Sequence, residues 1–136
     1  MVWRSFWNES EISIQDKYLL GKKGLKALQE YYLPCIGTGV KINIYSTLDD
    51  ISESELIRIL KSPDFKKYDL EIYICNRMKH DRYIELSRLR IQIGAGLDIL
   101  GRGENIKESQ ECDINVIRIT DDQKLSIPAG YKLAIE

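Results

Sequence analysis

The stretch Leu89-Arg90-Ile91-Gln92-Ile93-Gly94-Ala95-Gly96-Leu97-Asp98-Ile99 decides how this chain is read. Leu89, Ile91, Ile93, Ala95, Leu97 and Ile99 occupy every second position, and a period of two places them on one face of a strand. The same stretch opens a glycine series, Gly94, Gly96, Gly101 and Gly103, of the kind that cradles phosphate between a strand and a helix. Its spacing argues otherwise. A dinucleotide fingerprint needs G-x-G-x-x-G, and position 99 is Ile; the Lys-Ser/Thr ending of a P-loop is also missing. Glycines here serve a strand that bends or a layer that packs closely.

Working outward, the extended pattern begins upstream at Tyr83 and changes parity near Ser87 and Arg88. An extra residue in one strand has that effect, so a bulge is predicted there. Downstream, Ile114 to Ile119, Leu125 to Ile127 and Tyr131 to Ile135 read as strands. Asp121-Asp122-Gln123 and Pro128-Ala129-Gly130 separate them as turns. The C-terminal half is therefore predicted to be an antiparallel meander. Arg102 to Glu111, polar and flanked by glycine, is expected to form an exposed mobile loop.

The first half is helical in period. From Asp16 to Leu33, the residues Leu19, Leu20, Leu25, Leu28, Tyr31 and Tyr32 recur at amphipathic spacing. Gly21 and Gly24 predict a break or kink, and Pro34 a stop. After a Gly37-Thr38-Gly39 turn, Val40, Ile42 and Ile44 form a short strand. Ser52 and Glu55 have capping-box spacing and Ile51 and Leu56 that of a hydrophobic staple, so a helix runs from Ser52 to Lys61 and leaves at Pro63. Leu70, Ile72 and Ile74 then restart a period of two. Strand, helix and strand in that order predict a crossover between parallel strands. The sum is one α+β domain over residues 1–136: N-terminal helices and a βαβ-like unit, then the meander, in a mixed, bent sheet.

With 43% hydrophobic and 30% charged residues, the chain has the composition of a folded domain, and no apolar run is long enough to cross a membrane. Residues 1–7 lack the pattern of a secretory signal, so a cytoplasmic location is expected. Cys35, Cys75 and Cys112 are odd in number and far apart. They read as free thiols, with no disulfide framework, metal site or cofactor implied.

His80 is the only histidine. It lies five residues after Cys75, and on a strand that spacing turns the two side chains to opposite faces. Lys79-His80-Asp81 therefore reads as an exposed hairpin tip. Asp64, Asp69 and Glu71 neighbour Lys66 and Lys67, but a metal-dependent nuclease needs a lysine two residues beyond the second carboxylate, where this chain has Tyr73. Trp3, Phe6 and Trp7 are expected to pin the terminus onto the core.

The functional expectation rests on charge segregation. Asp49, Asp50, Glu53 and Glu55 form a block without a cation, and Glu104, Glu108, Glu111 and Asp113 form another acidic stretch. Lys17, Lys22, Lys23 and Lys26 fall on the first helix, and Arg77, Lys79, Arg82, Arg88 and Arg90 on the central strands. These acidic loops suit a non-catalytic protein-binding module: an immunity- or antitoxin-type inhibitor that covers a toxic enzyme, with the carboxylates replacing phosphate in the basic groove of a nuclease. The expected partner is thus a cationic protein. Nucleic-acid binding through Arg77 to Arg90, with Tyr73 and Tyr83 for stacking, is disfavoured by the formal net charge of −1. A small hydrolase built on His80 is the third reading, supported only by adjacency in sequence.

Overall fold

The computed structural model describes residues 9–93 and 114–135. Among these, seven strands form one mixed sheet in the order β6-β5-β4-β1-β2-β3-β7. Strands β1 (Glu11–Gln15), β2 (Lys41–Ser46) and β3 (Asp69–Cys75) are parallel neighbours. On the far side of β1, β4 (Arg82–Glu85), β5 (Leu89–Ile93) and β6 (Ile114–Arg118) form an antiparallel meander. The last strand, β7 (Gly130–Lys132), is antiparallel to β3 at the opposite edge. This is the expected α+β architecture, with a βαβ crossover through α3 (Glu53–Leu60) and α4 (Pro63–Lys66).

Directly paired residues share a face, so the register draws an aliphatic row across the sheet: Val116, Ile91, Ile84, Ile14, Ile44 and Ile72. Helical residues Leu25, Leu28, Leu33, Leu56, Leu60 and Phe65 join the middle of that row in one buried cluster. The row outruns its cover at β6, where Val116 is 46% exposed. The other face is polar. There the rings of Tyr45 and Tyr73 stack with centroids 4.6 Å apart, and Glu71 bridges Lys41 and Lys132 at 2.8 and 2.6 Å.

Several sequence expectations are corrected. β1 is a strand the pattern did not disclose, because Ile12 and Ile14 alone supply its alternation. The helix then begins not at Asp16 but at α1 (Lys22–Ala27), after Gly21. Gly24 does not break it: a Cβ there would stand 2.0 Å from the Tyr18 carbonyl oxygen, so only glycine lets the helix sit on the preceding loop. Nor does Pro34 stop it. A π-helical segment (Leu28–Tyr32) widens the turn before the proline, with the Leu33 amide donating to the Leu28 carbonyl, and α2 (Leu33–Ile36) carries the helix on. Gly37, at φ 86°, ends it.

The parity change at Ser87 and Arg88 is a tight turn between β4 and β5, not a bulge in one strand; the Leu86 amide donates to the Leu89 carbonyl at 2.8 Å. Both devices shift the period by one, so alternation alone does not separate them. Of the proposed strand from Leu89 to Ile99, residues 89–93 are described and are β5. Leu125 to Ile127 is not a strand, and the final strand is not part of the meander. The 119–129 segment instead crosses the polar face. Lys124 Nζ donates to the Leu86 carbonyl at 2.7 Å, the Leu125 amide to Glu85, Gln15 Nε2 to the Ser126 carbonyl at 3.3 Å, and the Asn76 amide to the Ala129 carbonyl at 3.1 Å. Of the proposed strand from Tyr131 to Ile135, Tyr131 and Lys132 belong to β7, and the Leu133 amide donates to the Ile72 carbonyl at 2.7 Å. The expectations for Trp3, Phe6, Trp7, the 94–103 glycines, the Arg102–Glu111 loop and Cys112 lie outside the described residues.

Candidate functional site

The parallel strands β1, β2 and β3 end on the same side of the sheet, and β4 begins there because it is antiparallel to β1. The chain from β3 to β4 must therefore pass over the ends of β2 and β1. Lys79-His80-Asp81 lies on this crossing connection rather than at a hairpin tip, since β3 and β4 are not neighbours. Open sheets bind ligands outside the carboxyl ends of parallel strands. A cleft of about 360 Å³ occurs there, lined by Tyr18, Lys22, Lys23, Asp49, Asp50, His80 and Arg82, with Gly21 and Gly24 at its floor.

Its base is sewn together by side-chain oxygens bonded to backbone groups. Ser46 Oγ, at the end of β2, accepts from the amides of Leu19 and Leu20 at 3.1 and 3.2 Å, and Thr47 Oγ1 donates to the Lys17 carbonyl at 2.8 Å. Asp50 Oδ1 accepts from the Lys22 amide at 2.7 Å, supplying from a distance the acceptor that Gly21, at the start of α1, lacks. A loop with its donors and acceptors satisfied in this way holds its side chains in place.

Upon that base runs a chain of contacts. Asp16 is buried, accepts from the Tyr18 amide at 2.9 Å, and pairs with Arg82 Nε at 3.2 Å. The Arg82 guanidinium lies over the Tyr18 ring, 4.9 Å from its centroid. On the same ring His80 stacks at 6.0 Å, and its Nδ1 is 2.8 Å from the Tyr18 hydroxyl. Lys22 and Lys23 are exposed on the cleft rim. Chemically, the wall offers two ammonium groups, a guanidinium neutralised in part by Asp16, an imidazole–phenol pair able to donate or accept, and the carboxylates of Asp49 and Asp50.

The structure divides the acidic block. Asp49 and Asp50 line the cleft, whereas Glu53 accepts from the Tyr131 hydroxyl at 2.7 Å and Glu55 faces Arg58 at 3.8 Å. The bond to Glu53 holds the Tyr131 phenol above its ordinary pKa. Ser52 Oγ accepts from the Glu55 amide at 3.2 Å, as the capping spacing implied. Glu104, Glu108, Glu111 and Asp113 lie outside the described residues.

The basic set is divided too. Arg77 and Lys79 lie on the crossing connection and Arg82 begins β4, but Arg88 and Arg90 are at the far end of β4 and β5. Arg90 is committed there, to Glu85 at 3.0 Å and to the Gln123 carbonyl. Cys75 and His80 have different partners. The Cys75 thiol donates to the Tyr73 carbonyl at 3.8 Å, and burial pushes its pKa up, so it is not an activated nucleophile. Glu71 is held by Lys132 and Lys41, whose hydrogen bonds lower its carboxyl pKa. No group of three or more His, Cys, Asp or Glu side chains among the described residues could hold a metal ion.

Sequence reading missed Tyr18, Lys22, Lys23 and Arg82 as one site. The signal that could have joined them is the order strand, Asp16, loop, Gly21-Lys22-Lys23, which becomes legible only once Glu11–Gln15 is read as a strand. No protein-family model matches the chain, and neither does any curated protein sequence. No helix among the described residues is long and apolar enough to cross a membrane.

Proposed function

We propose that this chain is a non-catalytic binding module whose cleft at the carboxyl ends of β1 and β2 takes a ligand bearing phosphate or a similar oxyanion. The observation that carries this reading is convergence: Lys22 and Lys23 from α1, His80 from the crossing connection and Arg82 from β4 meet on one concave surface. Lysine and arginine bind phosphate through charge-assisted hydrogen bonds, and the His80–Tyr18 pair adds a donor whichever tautomer the ring adopts. Asp49 and Asp50 put two carboxylates on the same surface; Asp50 accepts from the Lys22 amide, and the oxyanion of the ligand engages the ammonium and guanidinium groups beside them. Titration calorimetry at low ionic strength with inorganic phosphate and with a mononucleotide tests the reading. Binding is expected in the wild type and is expected to weaken on the order of tenfold in Lys22→Ala/Lys23→Ala. Absence of binding by both ligands would overturn it, and turnover of a phosphate ester lost in His80→Ala would replace it with the hydrolase reading.

A second reading keeps one observation of its own. Asp49, Asp50 and Glu53 are exposed in one short run beside the cleft, which suits an immunity- or antitoxin-type contact with a cationic protein such as a nuclease toxin. In that case the association rate with such a partner falls steeply with salt, and Asp49→Asn/Glu53→Gln slows it without changing stability. An unchanged rate in that variant removes the block from the interface.

A further inference from the structure

A second cleft, of about 340 Å³, is lined by Gln15, Arg77, Lys79, Asp81, Tyr83 and Leu125, with Met78, Ser126 and Pro128 completing it. Arg77, Lys79 and Asp81 line this cleft, while His80 and Arg82 line the first. From Lys79 to Tyr83 successive residues line opposite clefts, as residues of an extended segment do, while Arg77 and Met78 both line the second; this part of the chain is a partition between two clefts at the same end of the sheet. Consecutive residues of β1 make the same division: Gln15 lines the second cleft, and Asp16 pairs with Arg82 in the first. The two clefts differ in kind. The first is polar and charged. The second joins two cations to an aromatic and apolar wall of Tyr83, Leu125 and Pro128.

We infer that the two clefts form one extended site for single-stranded nucleic acid, which crosses the partition with a phosphate on the Lys22–Lys23 side and another on the Arg77–Lys79 side. This deepens the oxyanion reading above and rests on it. Two sets of cations separated by a segment of chain exceed what one phosphate group engages, whereas a strand carries a phosphate at every nucleotide. A cationic rim beside an aromatic surface is how single strands are held without sequence preference, since every base has a face to stack. The formal net charge of −1 is unevenly spread. Glu71 and Glu85 pair with Lys41, Lys132 and Arg90 at the other end of the sheet. At the cleft end Lys17, Lys22, Lys23, Arg77 and Lys79 stand beside Asp49, Asp50 and Asp81, and Asp16 is paired with Arg82.

Fluorescence anisotropy with a labelled oligo-deoxythymidine decamer, beside calorimetry with thymidine monophosphate, tests the inference. The decamer is expected to bind more tightly than the mononucleotide. Arg77→Glu/Lys79→Glu should weaken the decamer on the order of tenfold, and by more than it weakens the mononucleotide. Lys22→Glu/Lys23→Glu should weaken both. The slope of log affinity against log salt should fall by about 0.7 for each phosphate contact removed. A mononucleotide that binds while the decamer gains nothing over it overturns the extended site and leaves the single cleft standing. Failure of both ligands overturns the two readings together. If Arg77→Glu/Lys79→Glu melts at a lower temperature than wild type, Lys79→Ala alone supplies the comparison, and a decamer affinity unchanged in that variant counts against the second cleft.

Discussion

The two ends of the sheet use charge in opposite ways. At the amino end of the parallel strands, cations and carboxylates close on one another: Lys41 and Lys132 on Glu71, Asn43 on Glu11, Arg90 on Glu85. At the carboxyl end, one pair, Asp16 with Arg82, is buried as a foundation, and Lys22, Lys23, Arg77 and Lys79 project around two clefts. The difference follows from topology. Strands β2 and β3 are paired from Lys41 with Asp69 to Ser46 with Ile74, so side chains on the polar face of the ladder find each other across it. At their ends the chain departs into loops, which carry side chains away from the ladder and leave concave spaces. Charge at the amino end thus serves the fold, and charge at the carboxyl end is available to a ligand.

The largest expected effect comes from breaking the buried foundation. Asp16→Ala removes the carboxylate that pairs with Arg82, whose side chain is only 9% exposed. Removing one partner of a buried pair costs about 3–5 kcal/mol. Equilibrium unfolding in urea should show a loss of that size; a loss under about 1 kcal/mol would mean that water reaches Arg82 and that the cleft has no fixed floor.

Leu56→Ala is expected to cost roughly 2–5 kcal/mol by opening a cavity under α3, because Leu56 is fully buried against the sheet. It sharpens the comparison by leaving both ends untouched. Ligand affinity per folded molecule should be unchanged, and a large drop in it would tie recognition to the core rather than to the cleft.

Those two positions also show what the sequence makes legible. Leu56 declared itself: Ser52, Glu55 and Ile51 frame it with local signals, and helix start, staple and burial all follow from residues within one turn. Asp16 did not. Its meaning depends on Arg82, far along the chain, and on β1 being a strand, which two isoleucines alone are too few to announce. The meander was read from period, but its first turn looked like a bulge because Ser87 and Arg88 shift parity either way. The last strand's move to the other edge had no local sign. It depends on Lys124, Leu125 and Ser126 finding partners on the turn after β4, on β4 and on β1, a matter of tertiary hydrogen bonding. The candidate site was the least legible part for the same reason: its members come from α1, the end of β2, the crossing connection and β4, and only the fold brings them together.

At the amino end, Glu71→Gln probes the closed cluster through pH. Lys132 and Lys41 lower the folded-state pKa of Glu71, so the pairing contributes stability that is present above the ordinary carboxylate range and is lost as pH falls through the depressed folded value. Wild-type protein should therefore lose part of its margin over Glu71→Gln as acid is added, with the two thermal unfolding curves converging below that value. Curves that stay parallel through the acid range would show the cluster to be solvated and its closure without consequence. The effect is smaller than the first two because both lysines are largely exposed.

The smallest expected effect on stability is at the clefts. Lys22 and Lys23 are exposed, and the bond to Asp50 at this position is made by the Lys22 backbone amide, which alanine retains. Lys22→Ala/Lys23→Ala should leave unfolding free energy within about 0.5 kcal/mol of wild type. The same substitution removes two ammonium groups from the cleft wall and should weaken oxyanion binding on the order of tenfold. Near-neutral stability with lost affinity is the signature of side chains held out for a ligand, the reverse of Asp16→Ala. A loss of stability as large as the loss of binding would mean that these lysines screen Asp49 and Asp50 across the cleft. The carboxyl end would then be a closed charge cluster like the amino end, and the contrast between the two would disappear.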